Sequence, residues 1–308
     1  MNRVLFIVGT SYTGSTLLAF LLDAQPEMVS VGELRGPKLG WDDPRTYPCS
    51  CGKTLESCAF WRKVGDGMAA RGYRFDAEHW DLRFQVHQHR LVRLLTRSLG
   101  GDHLDTARDR LLLRTPRWGA RLRDVASRNE AIVRTILDLT ETEVFVDSSK
   151  DPVRARYLDR LSALDIHVVH LVRDSVGFVS SYLKNKRSLK SDRALLAMGV
   201  RRWNRMAACV EHLLAAIPSE RQLLVRYEDL CADTEKLLER IAAFVGIRAE
   251  RAPVDVKAER HHIIGNRMRL SYRGGIAVDE SWKTRLSTDQ IEYIRKRTRR
   301  HRRIFGYG

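Results

Sequence analysis

The chain lacks any apolar run near the roughly 20 residues that a membrane-spanning helix requires, which excludes a spanning segment from the reading. It also lacks the unbroken apolar core of about 7 to 15 residues that marks a secretory signal. Val4-Leu5-Phe6-Ile7-Val8 and Leu17-Leu18-Ala19-Phe20-Leu21-Leu22 are split by the polar block Gly9 to Thr16. A soluble, cytoplasmic protein is therefore expected. Cysteine is scarce: five in 308 residues, an odd count that does not describe a secreted disulfide scaffold. Internal repeats and low-complexity linkers are absent, so residues 1–308 are read as one domain. No zinc finger, RNP motif or aromatic-interleaved basic stretch accompanies the formal net charge of +16, and nucleic acid is not expected as a partner.

Much of that charge has a local source. Arg295, Lys296, Arg297, Arg299, Arg300, Arg302 and Arg303 carry seven positive charges near the C-terminus, which fits a solvated basic helix end or an anion-attracting surface. Three cysteines cluster at Cys49, Cys51 and Cys58. A metal site would want four ligands, usually with a Cys-x-x-Cys pair, and Cys49-Ser50-Cys51 is shorter than that. A metal site, a local disulfide and a reduced structural loop all remain open; the last is the reading taken, with no metal required. His87, His89 and His103 read as surface or packing residues, and the pair His261-His262 lacks a third ligand at zinc spacing.

With 44% apolar residues the chain can bury an ordinary core. Val4 to Val8 is a short, wholly apolar run bounded by glycine, as in a buried parallel strand. Further strands are predicted at Met28–Val31, Glu143–Val146, Ile166–Val172 and Gln222–Arg226. Helices are predicted at Ser15–Ala24, His79–Ser98, Arg121–Leu139, Ala194–Ile217 and Thr234–Val245, while Gly36 to about Arg62 reads as loop. Strands alternating with helices predict an α/β fold with a P-loop-like central parallel sheet flanked by helices. Residues 36–141 form a loop and mainly helical insertion, taken as the acceptor region.

Gly9-Thr10-Ser11-Tyr12-Thr13-Gly14-Ser15-Thr16 has phosphate-loop spacing directly after the first strand, with Ser15 where a nucleoside triphosphatase carries lysine. Backbone N–H groups and a helix N-terminus still cradle a phosphate, but the group that reaches the β and γ phosphates is gone. A P-loop small-molecule kinase is the weaker alternative for that reason. The second signature runs from Leu171 to Ser181: an apolar strand ending in Arg173, with Ser181 eight residues on. A guanidinium offers phosphate a bidentate fork, and eight residues make about two helical turns, enough to bring the hydroxyl back to the same anion.

With these two signatures the chain resembles the sulfotransferases that use 3′-phosphoadenosine 5′-phosphosulfate (PAPS). The resemblance runs from Val4 to about Trp282, most of the insertion excepted, and is closer to tyrosylprotein and carbohydrate sulfotransferases than to cytosolic aryl ones. It implies that Ser11, Tyr12, Thr13, Gly14, Ser15, Thr16 and Leu17 hold the 5′-phosphosulfate and that Arg173 and Ser181 hold the 3′-phosphate. It also implies that Tyr227, in Arg226-Tyr227-Glu228-Asp229-Leu230, lies near the adenine, and that Asn266 and Arg269 belong to a late loop closing over the nucleotide. The family usually supplies a Lys or Arg at the position of Tyr12, which carries no positive charge here. Lys150, in a Lys-Asp-Pro context like that of the tyrosylprotein enzymes, is the implied replacement, with Arg35 and Lys38 as further candidates. Glu33, at the end of a segment similar to those relatives, is the implied base. The expected reaction moves the sulfuryl group from PAPS to an acceptor hydroxyl of a saccharide, natural product or tyrosine, releasing adenosine 3′,5′-bisphosphate. A non-catalytic nucleotide-binding member of the fold is the other alternative.

Overall fold

A computed structural model describes residues 2–34, 43–84, 102–186, 192–248, 260–266, 268–271 and 275–308. Its centre is β1 (Arg3–Val8), whose apolar residues divide between two cores. Val4, Phe6 and Val8 point to one face of the sheet, and Leu5 and Ile7 to the other. Both faces are covered, which is why the run shows no polar alternation.

Around β1 stand β2 (Met28–Ser30), β3 (Val144–Lys150), β4 (Asp165–Val172) and β5 (Gln222–Arg226) in the order β2-β3-β1-β4-β5. Every adjacent pair is parallel. The chain passes from β1 through helix α1 (Ser15–Leu22) to β2, inserts β3 between β2 and β1, and then places β4 on the other flank of β1. Chain connections diverge at that point, so the carboxyl ends of the strands open into a crevice where ligands gather in such sheets.

Helix α1 is buried along nearly its whole length and packs with the helix Thr234–Phe244 against one face. The opposite face is covered by the helix Pro116–Thr140, through Leu122, Val125, Ala126, Ile132, Val133 and Ile136. Proline in its first turn sets φ without losing a helical hydrogen bond. The helix Ala59–Ala70 joins this face through Trp61, Val64 and Met68. A third apolar cluster unites the helices Ser175–Asn185, Asp192–Leu214 and Thr288–Ile304. No helix among the described residues is long and apolar enough to cross a membrane.

Several elements depart from the sequence expectation, among them the helix Asp102–Arg114, which lies between two predicted helices. The helix Ala59–Ala70 begins inside the stretch read as loop, because Gly65 and Gly67 dilute its apolar stripe. Strand β3 runs on to Lys150 through Asp147-Ser148-Ser149, all three of them buried. Those polar residues stay in the sheet because they are bonded: Asp147 accepts from Arg154 Nε at 3.0 Å and from Ser149 N at 2.8 Å. Residues 79–84 are not helical, and the remainder of the expected helix His79–Ser98, with His87 and His89, lies outside the described residues.

Candidate active site

The loop from Gly9 to Thr16 leaves β1 at the sheet centre. Thr13 Oγ1 donates to Thr10 O at 2.8 Å, and two neighbouring residues take left-handed conformations, Tyr12 with φ 68° and Gly14 with φ 84°. Gly14 is fixed by contact as well as by φ: a Cβ there would lie 2.6 Å from Cδ2 of the Tyr227 ring. As N-cap of α1 it supplies no side-chain acceptor, and the first N–H groups of a helix have no intrahelical partner. Thr13 and Ser15 are buried, and Ser11, Thr16 and Tyr12 are half-buried. Thr10 Oγ1 is buried and makes no hydrogen bond among the described residues. A helix N-terminus with unsatisfied donors beside an orphaned hydroxyl is chemistry suited to an anion.

Arg173, at the end of β4, comes to this loop. Its Nη1 donates to Tyr12 O at 3.1 Å and to Ser181 Oγ at 3.2 Å, and its guanidinium lies 4.6 Å from the centre of the Tyr227 ring. The sequence-predicted residues Tyr12, Gly14, Arg173, Ser181 and Tyr227 thus form one cluster. The guanidinium also already holds an anion: Nη2 donates to the Asp279 backbone carbonyl at 3.0 Å and to its carboxylate at 3.1 Å. Burial pushes the Asp279 carboxyl up, but the hydrogen bonds from Ser281 and Arg173 outweigh it and hold it at about 2. The Asp279 backbone N–H donates to the Tyr227 hydroxyl at 3.2 Å, and burial, with a Cys231 hydrogen bond behind it, pushes that phenol up to about 12.

Glu33 and Lys150 meet at the ends of β2 and β3. Lys150 Nζ lies 2.5 Å from Glu33 Oε1 with both side chains largely buried, 11% and 5% exposed. Lys150 sits at φ 61°, unusual for a non-glycine residue, and opposite Val8 in the β1–β3 register, so the pair stands beside the start of the phosphate loop. Two of the three residues implied in catalysis, Tyr12 and Lys150, are therefore held in left-handed backbone, a form of strain that gathers at functional sites. The late loop crosses above them. Ile263 N donates to Val31 O at 2.9 Å, Glu33 N donates to Ile263 O at 3.2 Å, and Asn266 N donates to Thr16 Oγ1 at 3.2 Å. A Cβ on Gly265, at φ 131°, would come within 3.3 Å of Thr16 Oγ1 and 4.0 Å of Glu33 Oε1. The Asn266 side chain accepts from Met268 N, capping the short helix Met268–Ser271. The side chain of Arg269, and the candidates Arg35 and Lys38, lie outside the described residues.

Sequence reasoning missed most supports of this site, the acidic residues after Tyr227 excepted. Arg302, read with the solvated basic end, is buried and forms an ion pair with Asp174, which caps the helix Ser175–Asn185 by accepting from Val176 N at 2.8 Å. Glu228 accepts from Asp174 N at 3.0 Å and from the Tyr307 hydroxyl at 2.6 Å. The C-terminal helix and tail thus brace the turn that presents Arg173. Asp279 and Arg285 were missed too; Arg285 Nη1 donates to Ser180 Oγ at 2.9 Å, next to Ser181. Nothing in their sequence context distinguishes these charges from surface ones.

A lysine-free glycine loop, a strand-end guanidinium and a buried carboxylate–ammonium pair thus stand together at the carboxyl ends of a parallel sheet. The sulfotransferase family model matches residues 5–251, and the chain belongs to that family. Its fold is similar to the sulfotransferase domain of the Synechococcus PCC 7002 olefin synthase, at 18% identity and a TM-score of 0.53 over 96% of this chain and 94% of that one. A sulfotransferase domain from the curacin biosynthetic pathway matches at 15% identity and a TM-score of 0.53, over 97% of this chain and 98% of that one. No curated protein matches the sequence.

Proposed function

We propose that this sulfotransferase takes its sulfuryl group from PAPS and passes it to an acceptor hydroxyl in line, with Glu33 and Lys150 as the reacting pair. The observation that carries the proposal is the 2.5 Å Lys150–Glu33 contact beside the phosphate loop. It puts a proton acceptor and a cation at the carboxyl ends of adjacent strands, next to the anion cradle. When bound, PAPS supplies the sulfuryl group and leaves as adenosine 3′,5′-bisphosphate.

The rest is done by the chain. Backbone N–H groups at the start of α1 and the hydroxyls of Ser11, Thr13, Ser15 and Thr16 hold the 5′ end of the donor. Arg173 and Ser181 hold its 3′-phosphate, with Tyr227 keeping the guanidinium and Gly14 in place. Glu33 takes the proton from the acceptor oxygen, and Lys150 places its charge on the moving sulfuryl oxygens, where preorganised cations have their largest effect. Tyr12 donates a hydrogen bond on the same side. Asn266 and Arg269 belong to the loop that covers the nucleotide. No metal takes part in this transfer. The acceptor is a saccharide, natural product or tyrosine, admitted by residues 36–141, and the protein works in the cytoplasm as a single domain without nucleic acid.

Two measurements test the proposal. Adenosine 3′,5′-bisphosphate should raise the melting temperature while ATP with magnesium should not, and labelled sulfate should move from PAPS to a hydroxylated acceptor. Stabilisation by ATP alone would return the chain to kinase chemistry. Asp279 on Arg173 favours one second reading, a nucleotide-binding fold whose anion fork is filled by its own carboxylate; bisphosphate binding without sulfate transfer to any acceptor would support it.

A further inference from the structure

Away from the phosphate crevice, the structure brings Cys49, Cys51 and Cys58 onto His261, and we propose that these four residues bind a tetrahedral zinc ion. Their sulfur and ring-nitrogen atoms all lie within 4.8 Å of one another. The separations are 3.6 Å for Cys51 Sγ to Cys58 Sγ, 4.0 Å for Cys58 Sγ to Cys49 Sγ, 3.4 Å for Cys58 Sγ to His261 Nδ1 and 3.9 Å for Cys49 Sγ to His261 Nδ1. Zinc takes sulfur at about 2.3 Å and imidazole nitrogen at about 2.0 to 2.1 Å. A regular tetrahedron on those radii has edges of about 3.8 Å between sulfurs and about 3.6 Å from sulfur to nitrogen. The four separations scatter around these edges, and all three thiols are free rather than joined at the roughly 2.05 Å of a disulfide.

The chain presents these ligands deliberately. Pro48 and Thr54 form an antiparallel bridge, and Cys49 N donates to Lys53 O at 2.9 Å, closing a tight knuckle that turns Cys49 and Cys51 to one side. Cys58 is the N-cap of the helix Ala59–Ala70 and offers no cap hydrogen bond from its side chain. The segment bearing His261 is laced to the knuckle through Ser50, whose N–H donates to His262 O and whose hydroxyl donates to Arg260 O at 2.6 Å. The His261 ring stacks on Phe60 at 4.4 Å with an interplanar angle of 3°, which fixes the plane in which Nδ1 faces the sulfurs. Three thiolates and one imidazole select zinc over hard, oxygen-seeking cations. Binding releases three thiol protons, so the loaded site carries one net negative charge.

The site is structural, since all four positions of the tetrahedron are filled by protein. It staples the 49–58 segment to residues 260–263, and Ile263 is the residue that pairs with Val31 and Glu33 at the end of β2. Zinc thereby positions the backbone that carries Glu33 and the loop over Thr16. This inference stands on the thiol and imidazole geometry alone and is independent of the transfer chemistry proposed above. Sequence spacing concealed the site because its fourth ligand lies 203 residues beyond the third.

The test is elemental analysis of the full-length protein, expressed in zinc-supplemented medium and purified without an affinity tag or chelator. About one zinc per chain is expected, with an X-ray absorption edge fitted by three sulfurs and one nitrogen. Cys58→Ser and His261→Ala should lose most of the metal, while Cys209→Ser should keep it. Chelation of the wild-type protein followed by cobalt(II) should give thiolate-to-metal absorption, a readout that does not depend on whether the variants fold. Metal-free protein with five titratable thiols, or a mass reduced by one disulfide within Cys49, Cys51 and Cys58, would overturn the proposal.

Discussion

At the residue scale, Gly14 and Arg173 show how few atoms define the cradle. Gly14→Ala combines left-handed backbone with a 2.6 Å approach to Tyr227, and should cost about 2 kcal/mol or more of stability, read from denaturant midpoints. Arg173 is a poor target for simple deletion, since it holds Tyr12 O, Ser181 and Asp279 together. Asp279→Asn is more informative. Removing the carboxylate that competes for the guanidinium should tighten adenosine 3′,5′-bisphosphate binding roughly two- to tenfold, measured by calorimetry; weaker binding would mean that Asp279 helps to build the nucleotide site. Glu33→Gln should lower turnover by about 10² to 10⁴ with bisphosphate affinity unchanged, and a full rate would remove Glu33 as base.

The C-terminal helix Thr288–Ile304 matters most at the scale of elements. Its capping box of Ser287 and Gln290 starts it, and Ile294, Thr298, His301 and Arg302 bury its inner face. Arg302 secures Asp174 and so the turn after β4. Arg302→Ala should destabilise the protein by about 1 to 3 kcal/mol and weaken bisphosphate binding through the displaced turn, whereas exposed Arg299→Ala should change stability by less than about 0.5 kcal/mol. Equal effects of the two would reduce the basic helix to a solvated surface. The elements of the sheet were legible beforehand because each strand is a short apolar run ending in glycine or a charge. The end of β3 was not, since three polar residues in a row read as the stop of a strand until Arg154 is seen to satisfy Asp147.

For the whole molecule, the clearest pH signal comes from His170 in β4, which burial, and secondarily His301, pushes down to about 3. The folded protein keeps this ring neutral, while the unfolded chain takes up a proton near 6.5. Stability is therefore complete above that value and falls as the pH drops below it, by about 1.4 kcal/mol per pH unit, until the folded pKa is reached. Asp279 and Asp76, both held at about 2, lose their contribution only as the pH falls below about 3.8, and so overlap His170 only at the acid end of its range. His170→Leu should flatten the dependence of the urea midpoint on pH between about 4.5 and 6.5; an unchanged slope would assign it to other groups.

The amino-acid sequence alone marked the individual strands, the glycine and hydroxyl loop without a lysine, and the spacing of Arg173 from Ser181, because each is carried by residues within about two helical turns of one another. Tertiary structure decided what no local spacing encodes. Lys150 meets Glu33 across 117 residues, Asp279 reaches Arg173 across 106, and His261 closes on Cys58 across 203. The physical reason is that strands distant in the chain end side by side on one edge of the sheet, and charges and ligands find partners only after those ends have been brought together.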